Sequence, residues 1–313
     1  MATVFVTGGS GFIGGRLISR LVSEGHSVKA LARSDLAARK VTTLGARPVR
    51  GDLDDLGSAA EGCDWAFHAA AQTPGTADRQ AFIRANVEGT RNVLEATRKA
   101  GVSRFIHVGT EAALRAGDPL INVDETAPLR PDSRSPYAAT KAMAEQLVRD
   151  AGGIVIRPCL VWGPGDTTAL PQFMAAVRSG KFAWIDHGSR LTETTHVDNV
   201  VEGLVRGAEK GRSGEAYFVT DGSPLVFREF LTDLLATQNL TPPARSIPYG
   251  VASRITSVLE RVWLRGTPPL DYMSLWLTGL ECTIDITKAR AELGYAPIRT
   301  QAEGLAELRT PIA

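Results

Sequence analysis

The chain has 313 residues, enough for one large α/β domain or two lobes with a substantial buried core. Its 35 Lys and Arg residues nearly balance 34 Asp and Glu residues, so the net charge of +1 provides no global field that would attract nucleic acid or an anionic membrane surface. Hydrophobic residues make up 43% of the sequence and charged residues 22%, which excludes a disordered chain.

The three cysteines lie far apart in the sequence and form no Cys-x-x-Cys pair. They indicate neither a disulfide framework nor a zinc site, so we expect a protein of the reducing cytoplasm without a bound metal. The first residues, MATVFVTGGS, lack the basic segment of a signal peptide, and no run of about 18 apolar residues is present to span a bilayer. Export and membrane spanning are therefore not expected.

Short β-rich runs alternate with amphipathic helices through the N-terminal half of the sequence. The predicted strands are Thr3–Thr7, Val28–Ala32, Trp65–Ala69 and Phe105–Val108. The predicted helices are Phe12–Glu24, Arg79–Ala100 and Tyr137–Asp150. This alternation is typical of a parallel sheet with crossover helices, so the sequence predicts an α/β protein with a doubly wound parallel sheet, the Rossmann fold.

The second half of the sequence is less regular. After the predicted strand Ile154–Arg157, proline and glycine residues interrupt the chain repeatedly, whereas Tyr217–Thr220 has the composition of a late core strand. We expect residues 1–160 to form the sheet domain, with later core elements near residues 190–220. Residues 161–313 are expected to form mainly a smaller lobe.

A glycine-rich turn joins the first strand to the first helix. The turn consists of Gly8, Gly9, Ser10, Gly11, Phe12, Ile13 and Gly14. Glycines between a strand and a helix allow a tight turn and the close approach of a pyrophosphate to the N–H groups at the start of the helix. A tight connection without a ligand needs fewer spaced glycines, so the pattern favours dinucleotide binding.

The segment SPYAATK, residues 135–141, contains a candidate acid/base pair. Tyr137 and Lys141 are four residues apart, which on a helix places them on one face with Cβ atoms about 5–6 Å apart. A phenol has an ordinary pKa near 10, and a nearby ammonium favours the phenolate and lowers that pKa. The pair downstream of this glycine turn therefore predicts general acid/base chemistry at Tyr137.

Several motifs together resemble those of the extended short-chain dehydrogenases/reductases. TGGSGFIGG at residues 7–15 is similar to the family's TGxxGxxG cofactor turn, and FHAAA at 67–71 and NVEGT at 86–90 resemble two further family motifs. RPCLVWGPGD at 157–166 resembles the segment found in 3β-hydroxysteroid dehydrogenases and ketone reductases. The resemblance implies that the sheet domain binds NAD(P) and that the smaller lobe binds the substrate.

The resemblance also implies roles for individual residues. Thr110, which follows the predicted strand Phe105–Val108, would hydrogen-bond the substrate oxygen and orient it toward Tyr137. Glu111 beside it is expected in a solvated loop, with an active-site acid as the alternative, and Asn86 either supports the site or is a structural amide. The implied cofactor contacts beyond the glycine turn are Asp52, Leu53, Ala69, Ala70, Ala71, Asn86, Tyr137, Lys141 and Pro158.

The end of the second strand distinguishes NADP from NAD. A carboxylate there binds the adenine ribose hydroxyls, whereas an arginine pairs with the 2′-phosphate of NADP. Ala32 occupies the position where NAD-preferring relatives carry the acid, and Arg33 follows it. NADP is therefore favoured. NAD stays open, because Asp35 would serve the ribose if the strand ended later and Arg33 would then be a solvated loop residue.

The implied reaction is hydride transfer between NADP(H) and a ketone or secondary alcohol, with Lys141 tuning Tyr137 and contacting the cofactor ribose. Apolar residues such as Phe173, Phe182, Trp184 and Ile185 indicate a hydrophobic, steroid-, terpenoid- or aromatic-like substrate, unless they are core residues. A redox-neutral sugar-nucleotide epimerase that retains NAD is the alternative, and a non-catalytic NADP sensor is the remote one. The resemblance also implies a homodimer formed through two of the predicted helices.

Three histidines are interpreted as structural. His196 has no second group of metal ligands near it in the sequence, and Asp198 is placed to cap a helix over Asn199–Arg206. His68 and His107 are expected to be hydrogen-bonded core residues. The apolar residues between Val251 and Leu280, which include Trp263, are expected to pack against the sheet domain, with a membrane-surface helix as the alternative.

Overall fold

The computed structural model describes residues 1–73, 78–262 and 270–309. In chain order its strands are β1 Thr3–Thr7, β2 Ser27–Ala32, β3 Arg47–Arg50, β4 Trp65–His68, β5 Arg104–Val108, β6 Leu120–Val123, β7 Ile154–Pro158, β8 Leu160–Trp162, β9 Trp184–Ile185, β10 Leu191–Thr192, β11 Thr194–His196, β12 Ala216–Val219, β13 Leu225–Val226, β14 Ser246–Ile247 and β15 Cys282–Ile284. The helices are α1 Phe12–Ser23, α2 Asp35–Thr43, α3 Arg79–Phe82, α4 Gly89–Lys99, α5 Pro136–Asp150, α6 Ala169–Arg178, α7 Val197–Lys210, α8 Phe227–Ala236, α9 Tyr249–Val262, α10 Tyr272–Gly279 and α11 Gln301–Arg309.

The central sheet is parallel, with the strand order β12-β7-β5-β4-β1-β2-β3. The chain builds outward from β1 in both directions, which confirms the predicted doubly wound sheet. Helices α1 and α7 pack against each other, as do α4 and α5, and the apolar side chains of β1, β7 and β12 are fully or almost fully buried. These strands show little polar alternation because both faces of the sheet are covered.

The predicted strand bounds agree with the structure to within one residue, and the late strand is β12. The predicted helix Arg79–Ala100 is correct in its extent but is divided into α3, a π-helical turn over Ile83–Glu88, and α4. The predicted cap at Asp198 is wrong: α7 begins at Val197, and His196 is its N-cap residue. The His196 Nδ1 atom accepts a hydrogen bond from the Asp198 N–H group at 3.2 Å.

Smaller sheets extend the structure beyond the central sheet. A four-stranded sheet has the order β13-β10-β15-β6, and β8 pairs with β11 while β9 pairs with β14. Phe182 and Trp184 are buried in an aromatic core with residues of α8, and Ile185 packs with α10, so these three side chains are core residues. The division of the chain near residue 160 stays a prediction.

The segment between residues 251 and 280 is only partly buried. Leu275 and Trp276 are buried in a cluster with Ile185 and Ala252 and not against the central sheet, whereas Ile255, Val258 and Val262 on α9 are exposed. Trp263 lies outside the described residues. No helix within the described ranges is both long enough and apolar enough to cross a membrane.

A buried ion pair attaches α5 to the central sheet. The Arg157 guanidinium, on β7, donates to both carboxylate oxygens of Glu145, on α5, and both side chains are fully buried. The same guanidinium lies 5.0 Å from the ring centre of Phe218 on β12. The pair therefore fixes the helix that carries Tyr137 and Lys141.

We expect Arg157→Met to lower the free energy of unfolding by about 3–5 kcal/mol, because it leaves the Glu145 carboxylate buried without its partner. The double variant Arg157→Met/Glu145→Leu should recover most of this loss, since no buried charge remains. Urea denaturation measures both values. Arg130→Met, which removes an exposed ion pair with Asp132, is the control and should leave the midpoint nearly unchanged.

The turn between β1 and α1 depends on two close backbone contacts. Gly8 has a φ of +72°, and a Cβ atom there would lie 2.6 Å from the backbone of Ala69. A Cβ atom on Gly14 would lie 2.3 Å from the Gly8 carbonyl oxygen. Neither position therefore accommodates a side chain without movement of the backbone.

Gly14→Ala should destabilise the protein by about 1–3 kcal/mol, because the added methyl group overlaps the backbone of the turn. Gly15→Ala is the matched control on the same helix: its Cβ atom would meet its nearest neighbours at 3.5 Å, an ordinary contact distance. We expect the control to change the free energy of unfolding by less than about 1 kcal/mol. Equal thermal denaturation of the two variants would contradict this account of the turn.

Candidate active site

A cavity of about 400 Å³ opens at the carboxyl edge of the central sheet. This is the edge at which doubly wound sheets bind ligands. The predicted site residues that line it are Gly8, Gly11, Phe12, Ile13, Gly14, Ala69, Ala71, Thr110, Tyr137, Lys141 and Pro158. The structure therefore brings the glycine turn, the ends of three further strands and the Tyr–Lys pair together.

The glycine turn is suited to a pyrophosphate. Gly11 is the N-cap residue of α1 and has no side chain to cap the first N–H groups of the helix. These groups, at the positive end of the helix, remain available for an anion. The cavity surface at Gly8, Gly11 and Gly14 carries no side chain, so a dinucleotide can approach the backbone closely.

Some predicted cofactor residues lie outside the cavity lining. Gly9 and Ser10 do not line the cavity, and Gly9 packs against Ile18 of α1. The Ala70 N–H group donates to the Thr7 hydroxyl at 3.4 Å. Asp52 accepts hydrogen bonds from the N–H groups of the two residues that follow Leu53. In this structure these residues make contacts within the protein that stabilise the turn and the neighbouring loops.

The start of α5 positions Tyr137. Ser135 is the N-cap residue and accepts a hydrogen bond from the Ala138 N–H group, while Pro136 occupies the first helical position. Tyr137 therefore lies in the first turn of the helix, and its ring contacts Phe82 edge to face at 6.4 Å between ring centres. Lys141 follows one turn later.

Lys141 is held at the end of β5. Its Nζ atom donates to the Val108 carbonyl oxygen at 2.7 Å and lies 2.9 Å from the His107 Nε2 atom. Burial lowers the pKa of Lys141 to about 8, opposed by the nearby Glu145 carboxylate. Burial and then Lys141 lower the pKa of His107 well below its usual range, so the neutral imidazole accepts from the ammonium.

His68 confirms the expectation of a hydrogen-bonded core histidine. Its Nδ1 atom lies 2.6 Å from the Thr7 hydroxyl oxygen, and its Nε2 atom lies 2.9 Å from that of Thr90. Burial lowers the pKa of His68 to about 3, with a smaller effect from Lys141. His68 is therefore neutral.

The Tyr137 phenol differs from the sequence-based expectation. Burial raises its pKa, the Glu111 carboxylate raises it further, and only a hydrogen bond with Thr110 lowers it. The expected lowering by Lys141 is absent, because the ammonium is directed to His107 and the Val108 carbonyl. Without a bound cofactor, Tyr137 is a neutral proton donor.

Glu111 lies in the site and not in solvent, so its expected position in a solvated loop is wrong. The residue lines the cavity and is only 4% exposed. The Thr110 hydroxyl donates to Glu111 Oε2 at 2.8 Å and accepts from the Ala112 N–H group at 3.2 Å. Arg115, also buried, lies 3.4 Å from Glu111 and donates to the carbonyl oxygen of Trp276 on α10.

Asn86 lies behind the site in the π-helical turn. Its Nδ2 atom donates to the Thr140 hydroxyl at 3.1 Å and to the Gln72 carbonyl oxygen at 3.2 Å, and its Oδ1 atom accepts from the Gln72 N–H group. Thr140 lies on α5 between Tyr137 and Lys141. The amide therefore joins the segment after β4 to the catalytic helix through direct contacts.

Two arginines lie at the ends of β2 and β3. Arg33 is exposed directly after β2, and Arg50 is the register partner of Ala32 on β3. Arg50 forms an ion pair with Asp35, the alternative ribose ligand. Arg50 is not identifiable from the sequence alone, because its neighbour on β2 is known only once the strand register is known.

A group of three potential metal ligands occurs at the start of α7. Ligand atoms of His196, Asp198 and Glu307 lie within 4.8 Å of one another. Two guanidinium groups already neutralise this site, however, since Asp198 pairs with Arg16 and Arg299 and Glu307 pairs with Arg299. The group is therefore an ion-pair network in which the carboxylates have their partners.

Comparison with known proteins agrees with this geometry. Residues 4–220 match the model of the NAD dependent epimerase/dehydratase family. A UDP-glucuronic acid 4-epimerase from Bacillus cereus, whose crystal structure contains NAD, has the same fold: the TM-score is 0.76 at 20% identity, covering 98% of each chain.

Two relatives are named for redox reactions. A 4-hydroxy-2-methyl-3-oxo-4-farnesyl-3,4-dihydroquinoline-1-oxide ketoreductase from Stigmatella aurantiaca is 46% identical, covering 97% of this chain and 95% of the relative. A 3-beta-hydroxysteroid dehydrogenase from Mycolicibacterium neoaurum is 31% identical, covering 98% and 90%. The protein is an NAD(P)-dependent oxidoreductase. It belongs to the NAD-dependent epimerase/dehydratase family and, within it, to the extended short-chain dehydrogenases/reductases.

Proposed function

We propose that the protein reduces a hydrophobic ketone with NADPH, or oxidises the corresponding secondary alcohol with NADP. The observation that carries this proposal is that Tyr137, a neutral proton donor, and Thr110 meet in a cavity whose remaining wall is largely apolar. The apolar part of the lining includes Val161, Leu160, Phe173, Met273 and Leu277. Apolar walls with few polar groups are typical of sites for hydrophobic small molecules.

Each residue of the site has a separate role in the proposed reaction. The Tyr137 hydroxyl gives its proton to the oxygen of the reacting carbonyl, and Thr110, which is hydrogen-bonded to Tyr137, orients that hydroxyl from the end of β5. Lys141 holds the cofactor ribose with the donor that His107 and Val108 leave free, and its ammonium favours the phenolate after proton transfer. Bound NADPH supplies the hydride. Ala69, Ala71 and Pro158, which line the cavity, would form the wall beside the nicotinamide.

A sugar-nucleotide substrate fits this cavity less well. Among the described residues that line it, Lys141 is the only basic one, and its ammonium already has two partners in the protein. A nucleoside diphosphate requires cationic or several donor groups for its phosphates. The apolar lining and the names of the two redox relatives favour a ketone of the terpenoid, steroid or aromatic type.

We expect stoichiometric oxidation of NADPH with an apolar ketone such as 2-acetylnaphthalene, measured by absorbance of the cofactor and by chromatography of the alcohol. Tyr137→Phe removes one hydroxyl and should lower turnover by about 10²–10⁴, because general acid catalysis is lost, while cofactor affinity changes little. Lys141→Ala should lower both the turnover and the affinity for the cofactor. Conversion of a UDP- or dTDP-sugar without net change of the cofactor would instead support an epimerase.

The cofactor preference depends on the arginines after β2 and β3. Arg33 is exposed where the adenine ribose of a bound dinucleotide would lie, and Arg50, the register partner of Ala32, is a second arginine at the ends of these two strands. Residue 32 is an alanine and offers no carboxylate to the ribose, and the Asp35 carboxylate is already paired with Arg50. These features support NADP over NAD.

Wild-type protein should therefore bind NADPH more tightly than NADH, and Arg33→Ala should weaken NADPH binding about 10- to 150-fold, the value of one charge-assisted contact. Fluorescence titration with both cofactors measures this. NADH affinity should change little, and Arg39→Ala, an exposed arginine on α2, serves as the control. If Arg33→Ala bound NADPH as tightly as wild type, Arg33 would make no contact with the cofactor. A homodimer and a cytoplasmic location stay predictions of the sequence.

A further inference from the structure

Glu111 is a buried carboxylate in the wall of an otherwise largely apolar substrate cavity. It directly follows Thr110, whose hydroxyl donates to it, and its negative charge raises the pKa of the Tyr137 phenol. Buried carboxylates are costly unless they are paired and hydrogen-bonded, so a chain that retains one beside the reacting groups places a strong acceptor there. The reaction proposed above uses Tyr137, Thr110 and Lys141 and gives Glu111 no role.

The hydrogen bonds of Thr110 restrict what its hydroxyl can do. A threonine hydroxyl has one proton and two acceptor positions. The proton is given to Glu111 Oε2, and one acceptor position is occupied by the Ala112 N–H group. The remaining position is used by the hydrogen bond with Tyr137, so the Thr110 hydroxyl has no proton left for the substrate and Glu111 is the acceptor that the substrate meets.

Glu111 also has acceptor capacity that its protein partners do not use. A carboxylate offers about four acceptor positions. Oε2 takes the Thr110 hydroxyl, and Oε1 faces Arg115 at 3.4 Å. Arg115 is fully buried, and it is not among the residues that line the cavity, so the negative partner of this ion pair is the one that a substrate meets.

We infer that Glu111 determines specificity: it selects ketones that carry a hydroxyl group on the carbon next to the reacting carbonyl, and it rejects ketones in which that neighbouring carbon is itself a carboxylate. This inference rests on the proposed function. The substrate hydroxyl donates to Glu111, while the neighbouring carbonyl oxygen accepts from Tyr137. A substrate carboxylate at the same position meets a like charge at low dielectric and has no cation to pair with.

Binding of matched ligands to protein saturated with NADP tests the preference without turnover. The first pair is 2-(hydroxyacetyl)naphthalene against 2-acetylnaphthalene, which differ by one hydroxyl. The second pair is 2-naphthylglyoxylate against its methyl ester, which differ by one charge. We expect the hydroxyketone to bind at least about tenfold more tightly than the plain ketone, since its hydroxyl bonds to a charged acceptor, and the ester to bind more tightly than the anion.

Glu111→Gln keeps the shape of the side chain but removes the charge. It should reduce the hydroxyketone preference by about tenfold and raise the relative affinity for the glyoxylate. Because this variant leaves Arg115 buried without a counter-ion, Glu111→Leu/Arg115→Met, which removes both charges, is the second variant and should abolish both preferences. Glu95→Gln, an exposed glutamate on α4, should change neither.

Equal affinities for the members of each pair in wild type, or preferences that survive in both variants, would overturn the inference. Turnover separates this failure from failure of the proposed function. Oxidation of NADPH with both ketones at equal efficiency would leave the reductase intact and remove the role of Glu111. Retained binding preferences without NADPH oxidation by any ketone would contradict the reductase and leave the selectivity of Glu111 standing.

Discussion

The attachment of α5 to the central sheet determines the geometry of the whole site. Two buried cationic groups make this attachment: Arg157 pairs with Glu145, and Lys141 bonds to His107 and to the Val108 carbonyl. Because the helix is held at the carboxyl ends of β5 and β7, the first turn of the helix projects Tyr137 into the cavity. Thr110 reaches the same space from β5, so a helix and a strand far apart in sequence supply one reacting centre.

The electrostatics of this centre oppose phenolate formation before a cofactor binds. Burial and Glu111 both raise the pKa of Tyr137, while the ammonium that would lower it is engaged elsewhere. A neutral phenol suits the reductive direction, in which a proton must be given to the carbonyl oxygen. The oxidative direction requires the phenolate and therefore depends on Lys141 and the cofactor to offset Glu111. The Glu111 carboxylate that selects the substrate therefore also favours proton transfer from Tyr137 to the carbonyl oxygen, the reductive direction.

Local sequence patterns predicted what depends on local structure. The alternation around β1 and α1, the glycine turn, and the spacing of Tyr137 and Lys141 all describe contacts within a few residues, and the family resemblance added Thr110. Glu111 was misplaced because its burial depends on Arg115 and on α10, about 160 residues later in the chain. The capping of α7 was also misassigned, since Arg16 and Arg299 draw the Asp198 carboxylate away from the helix end.

The likeness to a UDP-glucuronic acid 4-epimerase is a likeness of fold and does not decide the reaction class. A doubly wound sheet and a glycine turn serve any enzyme that uses a nicotinamide cofactor, so they do not distinguish between reaction classes. What distinguishes them is the part of the cavity wall outside the glycine turn. Here that wall is formed largely by apolar side chains of β8, α6 and α10, with Glu111 as its anionic group. A diphosphate would meet a negative charge where it needs cations, whereas a neutral ketone with a hydrogen-bond donor would meet its complement.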